Sequence, residues 1–328
     1  MALVEIENLT VTFGGAPAVR NVNLAVGEGE AIGVIGESGC GKSVTWLAAL
    51  GLLPGHVAID GQVRLAGEDI RGAPPKVLDR IRGRRIAMIF QDPASALNPT
   101  KKVGRQVTEV LKLHRGMGGD AAWAEAKRLF DQVGIPDPAE RLKAYPHQLS
   151  GGQNQRVMIA MALAGQPDVL VADEPTTALD VTIQAQILDL LKVIRRDTGM
   201  ALVLISHDLG VVAEVCSRAY VMYAGTVVEE GTVASLFSAP SHPYTRGLLA
   251  ALPSLGGPVQ RLRSIPGSVP HPNEVGSGCP FAPRCDEGIS FCQRASPPLR
   301  QLSVEFRHAV ACLRRHSIAI GDMVEVAA

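Results

Sequence analysis

The residues best suited to chemistry form the glycine-rich segment GESGCGKS at positions 36–43. Its spacing matches the phosphate-binding pattern G-x-x-x-x-G-K-[ST], in which backbone N–H groups and a helix N-terminus surround an anion. We expect Lys42 to reach the β- and γ-phosphates of a nucleotide and Ser43 to bind Mg²⁺. A glycine-rich turn with an incidental lysine is the alternative, but the flanking strand and helix patterns favour the nucleotide site. The residues assigned to nucleotide binding are Gly36, Glu37, Ser38, Gly39, Cys40, Gly41, Lys42, Ser43 and Val44.

A hydrolytic site of this kind also needs carboxylates for a metal ion and for water, and the segment VLVADEP supplies two. Asp173 ends a buried apolar run, which places it to hold Mg²⁺ through water. Glu174 follows directly and is suited to polarise an attacking water molecule. An ordinary strand that ends in two solvated acids is the alternative. The glycine-rich segment makes the hydrolytic interpretation the better one.

The elements that position these residues have the pattern of a parallel α/β sheet. Apolar runs at 30–36, 168–173 and 201–206 are typical of strands that are buried on both faces. Between the last two runs, residues 181–196 place apolar side chains at helical spacing and end in a basic turn. Strand, amphipathic helix and strand in succession predict a right-handed crossover between parallel strands.

Composition changes along the chain and predicts two domains. Residues 3–13 alternate apolar and polar side chains, as a half-buried strand does. Roughly between 92 and 165 the pattern is helical, which predicts a helical insertion between strands. After residue 240 proline and glycine cluster and periodicity disappears. We therefore predict a nucleotide-binding domain over 1–240 and a small loop-rich domain over 241–328.

Charge and hydropathy argue against several classes of protein. Thirty-two basic residues balance thirty-two acidic ones, so we expect no nucleic-acid partner. The N-terminal segment lacks the pattern of a secretory signal, and the apolar runs fall short of the roughly 20 residues that cross a bilayer. We expect a soluble cytosolic protein, in which cysteines stay reduced.

The segment LSGGQNQR at 149–156 has no role in a phosphate site built from one chain. With it the sequence resembles the ATP-binding cassette (ABC) family, whose signature is LSGGQ. Gln91 in IFQDP is similar to the family's Q-loop glutamine, TALD at 177–180 to its D-loop, and His207 in LISHD to its switch histidine. Phe13 holds the place of the aromatic residue that stacks on adenine, most often a tyrosine in the family.

This resemblance covers residues 3 to about 240 and implies both a fold and a reaction. The implied fold class is α/β: a P-loop NTPase core with a parallel sheet, an antiparallel β subdomain and a helical insertion. The implied ligands are ATP and Mg²⁺. Glu174 would be the general base, and His207 would contact the γ-phosphate and hold the water. The Mg²⁺ ligands implied by the family are Ser43, Gln91 and Asp173.

The resemblance also implies that each ATP site is shared between two cassettes. The signature segment would lie against the γ-phosphate bound by the opposite cassette, and it also has the pattern of a serine-capped helix N-terminus. Asp180 would communicate across the dimer, and Gln91 would link the nucleotide to the helical insertion. None of these positions is degenerate, so this cassette is expected to be competent for hydrolysis, whereas the partner cassette need not be. The signature residues that would act in trans are Leu149, Ser150, Gly151, Gly152 and Gln153.

Three stretches narrow the resemblance to the ATPase subunits of bacterial peptide importers, a group that includes nickel importers. They are 88–99, 173–188 and HPYT at 242–245. The implied partners are a second, homologous ATPase subunit in a heterodimer, two transmembrane permease subunits and, indirectly, an extracytoplasmic substrate-binding protein. The chain would lie peripherally on the cytoplasmic side of the inner membrane. The alternatives are an importer of the same build that carries another cargo, such as nickel, and a soluble ABC ATPase of DNA repair or ribosomes.

Four cysteines in the C-terminal region raise a separate question about metal binding. Reducing surroundings argue against disulfides, whereas free thiols remain an alternative. The spacing C-x5-C-x6-C with a later fourth cysteine lacks the C-x2-C pair of zinc sites and is not a ferredoxin run. Four thiolates suit a [4Fe–4S] cluster or Zn²⁺, and the peptide-importer resemblance implies the cluster. The candidate ligands are Cys279, Cys285, Cys292 and Cys312, whereas Cys40 is assigned no ligand role.

We predict that Lys42→Ala weakens nucleotide binding itself, because the ammonium is a charge that the phosphates require. A hydrogen bond to a charged group contributes about 1.5–3 kcal/mol, so the dissociation constant for ATP should rise about tenfold or more. Titration with ATP measures this change. An unchanged affinity would contradict the role of Lys42.

Overall fold

The computed structural model describes residues 2–177, 179–252, 264–303 and 307–315. The strands are β1 (Ala2–Phe13), β2 (Ala16–Gly27), β3 (Ala31–Ile35), β4 (Ala58–Leu65), β5 (Glu68–Asp69), β6 (Ile86–Ile89), β7 (Val169–Asp173), β8 (Ala201–Ser206), β9 (Arg218–Tyr223), β10 (Thr226–Thr232), β11 (Arg300–Ser303) and β12 (His308–Val310). The helices are α1 (Lys42–Ala49), α2 (Pro75–Ile81), α3 (Pro93–Ala96), α4 (Val103–Arg115), α5 (Gly119–Gln132), α6 (Pro138–Arg141), α7 (Gly151–Ala164), α8 (Val181–Thr198), α9 (Leu209–Val215), α10 (Val233–Ser238) and α11 (Pro243–Ala250). Within the described part of the chain, no helix has the length and apolar character needed to span a membrane.

The chain forms two compact units that alternate along the sequence. The first unit comprises Val26–Glu30 and Gly72–Ile205. The second comprises Ala2–Ala25, Ala31–Arg71 and the described part of Ser206–Ala328. A compact unit is not the same as an independently folding domain. The expected division of the chain at residue 240 therefore stays a prediction.

The first unit contains the parallel strands β6, β7 and β8, in that order across the sheet. Every residue of β7 and β8 is buried, as in strands that are covered on both faces. α8 connects β7 to β8 and buries Ile187, Leu191 and Ile194 along one side. Its C-cap is Gly199, in the left-handed conformation that commonly ends a helix. The predicted strand, helix and strand are confirmed.

Helices inserted between β6 and β7 complete the first unit. α4 and α5 pack against α7 and against each other. α4 buries Val103, Val107 and Leu111, and α5 buries Leu129 and Phe130. These apolar stripes at helical spacing form the surface against which α7 packs. The packing thereby determines where the LSGGQ segment, at the start of α7, is presented.

The second unit includes an antiparallel sheet in the order β2-β1-β4-β5. β1 and β4 pair with Val4 opposite Leu65 and Ile6 opposite Val63. These side chains are buried, while the intervening ones are more exposed. The alternation predicted for residues 3–13 is therefore confirmed, because one face of the ribbon packs and the other is solvated.

A further set of strands in the second unit has the order β3-β9-β10-β12-β11. β3 and β9 are parallel, and the remaining pairs are antiparallel. β12 joins β10 with Ala309 opposite Glu230. β11 and β12 were not predicted, because strands of four and three residues are too short to show an alternation.

A buried carboxylate ties the C-terminal segments to β10. Glu229 is fully buried and accepts a hydrogen bond from the backbone N–H of Ser241 at 2.6 Å and from that of His242 at 2.9 Å. Its Oε1 atom also lies 2.7 Å from Nε2 of His308 on β12. Burial alone would raise the pKa of Glu229, but these hydrogen bonds hold the pKa below its ordinary value. Three separate segments are therefore joined by one charged group.

We predict that Glu229→Gln lowers the free energy of unfolding by about 3 kcal/mol at neutral pH. The glutamine amide would place its own N–H groups against those of Ser241 and His242, which now donate to the buried carboxylate. Because the folded-state pKa of Glu229 is lowered, its contribution is present above the ordinary glutamate pKa and is lost as the pH falls through the folded value. The difference between wild type and variant should therefore shrink below a pH of about 4.

Urea titration at several pH values measures this difference. Glu230→Gln is the matched control, since Glu230 is the next residue on β10 and burial raises its pKa. Removing that charge should leave stability unchanged or slightly higher. Equal losses in the two variants would contradict the role given to Glu229.

Candidate active site

In the second unit the glycine-rich loop connects β3 to α1. All residues of β3 are buried, so the loop starts from a fixed point. Gly41 has φ +97° and is the N-cap of α1. A Cβ atom at Gly41 would lie 2.9 Å from the carbonyl oxygen of Ala18, so only glycine fits there. The loop therefore ends at a helix N-terminus, where N–H groups attract anions.

Lys42 lies across this loop rather than in solvent. Its side chain is mostly buried, and Nζ donates to the carbonyl oxygens of Gly36 at 2.7 Å and Glu37 at 3.0 Å. Ser43 and Val44 occupy the first turn of α1 and are half-buried. Cys40 is fully buried, and burial raises the pKa of its thiol. The loop thus holds one ammonium group in place, and its neutral cysteine fills space.

In the first unit the two carboxylates lie where β7 ends. Asp173 is the last residue of the strand and is buried. Glu174 has φ +44°, a left-handed conformation that is uncommon for a residue other than glycine. Its N–H donates to the carbonyl oxygen of Ile205 on β8 at 2.9 Å, which holds the strained turn. Strain of this kind concentrates at functional sites.

Two donors converge on one oxygen of Glu174. Nε2 of Gln91 donates to Oε2 at 3.2 Å, and the hydroxyl of Thr177 donates to the same atom at 2.8 Å. The structure therefore brings together two of the predicted residues, Gln91 and Glu174. Thr177 begins the TALD segment, and its contact with Glu174 was not predicted, although a hydroxyl three residues after an acid can reach back across a turn. An oriented carboxylate of this kind can accept a proton from water.

The signature segment forms the N-terminus of α7. Ser150 Oγ accepts from the N–H of Gln153 at 3.3 Å, and Gln153 Oε1 accepts from the N–H of Ser150 at 3.1 Å. This reciprocal capping box fixes where the helix begins. Leu149, immediately before it, is buried, and Gly152 leaves room for Ile183, whose methyl group would lie 2.9 Å from an added Cβ.

Asp180 lies on the same surface as the signature segment. It caps α8 by accepting from the N–H of Ile183 at 2.9 Å. Residues of the signature segment, Asp180 and Arg156 line one open pocket of about 510 Å³. Arg156 is the last residue of LSGGQNQR and lies on α7, but it was not predicted to belong to the site. The pocket offers backbone N–H groups and a guanidinium, which is the chemistry that an anionic ligand requires.

The remaining predicted residues of the nucleotide site lie in the second unit. Phe13 is the last residue of β1, and its side chain is 36% exposed. His207 is exposed and follows β8 in the chain. The next residue, Asp208, caps α9 by accepting from the N–H of Gly210 at 2.7 Å. The roles of Phe13 and His207 toward a nucleotide stay predictions.

The four C-terminal cysteines line one narrow pocket in the second unit and form no disulfide. The N–H of Cys279 donates to the carbonyl oxygen of Cys292 at 2.7 Å. Burial raises the pKa of the Cys279 thiol to about 11 and also raises the pKa of Cys285. Among the described residues, no three His, Cys, Asp or Glu side chains are arranged to hold a metal ion. The four thiols therefore lie along the same pocket, and the binding of an iron–sulfur cluster there stays a prediction.

The sequence matches two known families in succession. Residues 19–177 match the family described as ABC transporter. Residues 228–292 match the family described as Oligopeptide/dipeptide transporter, C-terminal region. The two matches together include the glycine-rich loop, the signature segment, both carboxylates and three of the four C-terminal cysteines.

Several curated relatives are similar over most of their length. A putative peptide import ATP-binding protein of Brucella melitensis biotype 1 is 50% identical, over 90% of this chain and 90% of its own. The dipeptide transport ATP-binding protein DppD of Escherichia coli K12 is 48% identical, over 92% and 94%. The oligopeptide transport ATP-binding protein OppD of Salmonella typhimurium is 46% identical, over 92% and 91%.

The chain is also similar in fold to solved structures of ATP-binding cassettes. A dimeric ATP-binding cassette in a post-hydrolysis state with ADP and Pi has a TM-score of 0.63 and 30% identity, over 70% of this chain and 98% of that one. A protein from Clostridium perfringens, described as part of an ABC transporter complex, has a TM-score of 0.63 and 26% identity, over 73% of this chain and 91% of that one.

We predict that Thr177→Val lowers the turnover of ATP about tenfold, because it removes one donor that orients Glu174. One such hydrogen bond contributes about 1–1.5 kcal/mol. The affinity for ATP should change little, and Thr177→Ser should restore turnover because it keeps the hydroxyl. Steady-state ATPase assays separate these effects. Thr176→Val is the control at the neighbouring position, and an equal loss there would contradict the assignment.

Proposed function

This chain belongs to the ATP-binding subunits of ABC transporters, and we propose that it hydrolyses ATP to power a bacterial importer of di- and oligopeptides. The relatives confirm the ABC family, and the similar solved structures confirm the α/β cassette fold; both were expected from the LSGGQ segment. The observation that carries the cargo proposal is the order of the two family matches along one chain. Relatives that cover most of the chain are named for peptide import or for dipeptide transport.

In the proposed reaction Glu174 is the general base that takes a proton from the attacking water. Its hydrogen bonds with Gln91 and Thr177 support this role, because they hold the carboxylate in one orientation. His207 would contact the γ-phosphate. Lys42, already held across the loop, would place its charge on the β- and γ-phosphates.

Mg²⁺ would be held by Ser43, Asp173 and Gln91. Bound there, the ion would neutralise charge on the phosphate oxygens. The donor set supports this assignment, because hydroxyl, carboxylate and amide oxygens are the hard ligands that Mg²⁺ prefers. Phe13, with its exposed ring at the end of β1, would stack on the adenine.

The nucleotide site is proposed to be completed by a second cassette. The signature residues and Asp180 share one open pocket, in which the start of α7 provides N–H groups for an anion. This supports binding of the γ-phosphate of ATP held by the partner cassette. We propose that the partner is a homologous ATPase subunit in a heterodimer, so that one chain alone is inactive.

The partners that couple hydrolysis to transport are proposed from the family. Two transmembrane permease subunits would hold the cassettes on the cytoplasmic face of the inner membrane, and an extracytoplasmic protein would deliver the peptide. Closure of the cassette dimer would favour one state of the permease through a difference in affinity for the two states. The ATPase subunit itself would not contact the peptide.

The C-terminal cysteines are proposed to hold a [4Fe–4S] cluster, with Zn²⁺ as the alternative. Four thiols that line one pocket supply a soft donor set, which suits either group. The cluster would serve structure or redox sensing, since ATP hydrolysis needs no electron transfer. Anaerobic purification with iron, sulfide and zinc analysis distinguishes the two, and a protein containing only zinc would overturn the cluster.

We predict that Glu174→Gln retains ATP affinity and lowers turnover about 100-fold or more, because only the base is removed. With ATP the variant should accumulate as a closed cassette dimer, which size-exclusion chromatography with the partner subunit detects. A loss of ATP affinity would contradict the assignment of Glu174 as the base.

Co-purification tests the transport function itself. The tagged chain, extracted from membranes in detergent, should bring down a second ATPase subunit and two multispanning subunits. Peptides should stimulate ATP hydrolysis of the reconstituted complex when the binding protein is present. Recovery of the chain without any multispanning subunit would overturn the proposal.

A further inference from the structure

Arg284, the residue before Cys285, forms a two-bond ion pair with Glu37 of the glycine-rich loop. Nη1 donates to Oε2 at 2.7 Å and Nη2 donates to Oε1 at 3.1 Å. The Arg284 side chain is 5% exposed and that of Glu37 is 31% exposed. Paired hydrogen bonds between guanidinium and carboxylate fix direction as well as distance. The C-terminal region is therefore joined to the loop by a rigid contact.

The guanidinium of Arg284 is itself held in place by the C-terminal region. Nε donates to the carbonyl oxygen of Pro266 at 2.7 Å, and Nη2 donates to that of Gly267 at 3.3 Å. Nη1 lies 3.3 Å from the hydroxyl of Tyr223 on β9. The hydrogen bonds with Glu37 raise the pKa of Arg284 further above its ordinary value. The group is therefore a fixed, permanent charge rather than a mobile surface cation.

Glu37 is held through its backbone as well as its side chain. Its N–H donates to the hydroxyl of Tyr244 on α11 at 2.9 Å, and Tyr244 is fully buried. Phe281 packs against Tyr244 and Tyr223, with ring centroids 5.4 Å and 5.2 Å apart. This aromatic cluster of Tyr223, Tyr244 and Phe281 fixes the tyrosine hydroxyl. One residue of the loop is thus anchored at two points by the C-terminal region.

The anchored residue also contacts the lysine that is proposed to bind phosphate. The carbonyl oxygen of Glu37 accepts from Lys42 Nζ at 3.0 Å and from the N–H of Cys40 at 3.4 Å. A shift of Glu37 would move this oxygen and release the ammonium from one of its two carbonyl partners. The path from Arg284 to Lys42 therefore contains one intervening residue.

We propose that Arg284 is a positioning residue of the nucleotide site, through which the C-terminal region sets the affinity of the loop for MgATP. The phosphate-binding pattern leaves its second position open, and here that position carries the carboxylate that receives Arg284. The proposal rests on the proposed function, because the loop must be the ATP site. It adds a role for the C-terminal region in the ATPase cycle itself.

A double-mutant cycle on the full chain tests the proposal. The variants are Arg284→Gln, Glu37→Gln and the double variant, and the measurement is the dissociation constant for MgATP. Each single change should weaken binding about tenfold, comparable to removing a group that orients a ligating side chain. The double variant should be no weaker than either single variant, because both changes remove the same contact. Arg284→Lys should lie between wild type and Arg284→Gln, since an ammonium cannot form the paired contact.

Controls separate positioning from loss of folding. Arg294→Gln removes an exposed cation from the same region and should leave binding unchanged. Glu37→Gln leaves the buried guanidinium of Arg284 without its carboxylate, so its melting temperature should fall, while the contacts of Arg284 with Pro266 and Gly267 keep the region folded. If Arg284→Gln fails to fold, Arg284→Lys, which keeps the charge but cannot form the paired contact, takes its place in the double-mutant cycle.

The outcomes distinguish this proposal from the function on which it rests. Wild-type affinity in Glu37→Gln, or losses that add in the double variant, would overturn the positioning role while leaving the ATP site intact. Failure of the wild-type chain to bind MgATP would overturn the ATP site and the positioning role together.

Discussion

Burial of short strands on both faces is the constraint on which the candidate site depends. Every residue of β3 and of β7 is buried, so a slip of either strand by one position would draw a flanking residue of the chain into the buried part of the sheet. The residue that follows each strand is therefore fixed. Gly36 follows β3 and begins the glycine-rich loop, and Glu174 follows β7 in a strained turn. The residues proposed to act on the nucleotide lie at these strand ends, where the backbone leaves the sheet.

Helix starts provide the second set of fixed polar groups. Ser150 and Asp180 each satisfy an N–H of the helix that they cap, which determines where α7 and α8 begin. Both residues line the same pocket with Arg156. The side chains that define these helix ends therefore also shape a surface suited to an anion. One set of hydrogen bonds serves both structure and the proposed binding in trans.

The C-terminal region is held by charged and aromatic anchors rather than by a large apolar core. Glu229 joins β10 to β12 and to the start of α11, and Arg284 joins the cysteine segment to the glycine-rich loop. Small loop-rich regions need such fixed contacts, because they bury too little apolar surface to order themselves. In this chain the anchors also connect the region to residues of the proposed ATP site.

The sequence by itself determined the features that neighbouring residues encode: the glycine-rich loop between β3 and α1, the capped start of α7, and the succession β7, α8, β8. Each of these features depends on the backbone conformation of a short segment or on a repeat of apolar side chains every few residues, and neighbouring side chains determine both. Only the tertiary structure decided that Gln91 meets Glu174, 83 residues away, and that Arg284 meets Glu37, 247 residues away. It also decided that the short strands β11 and β12 extend the sheet of β10. Such pairings depend on the path of the whole chain, and no local pattern of residues records which distant segment that path brings near.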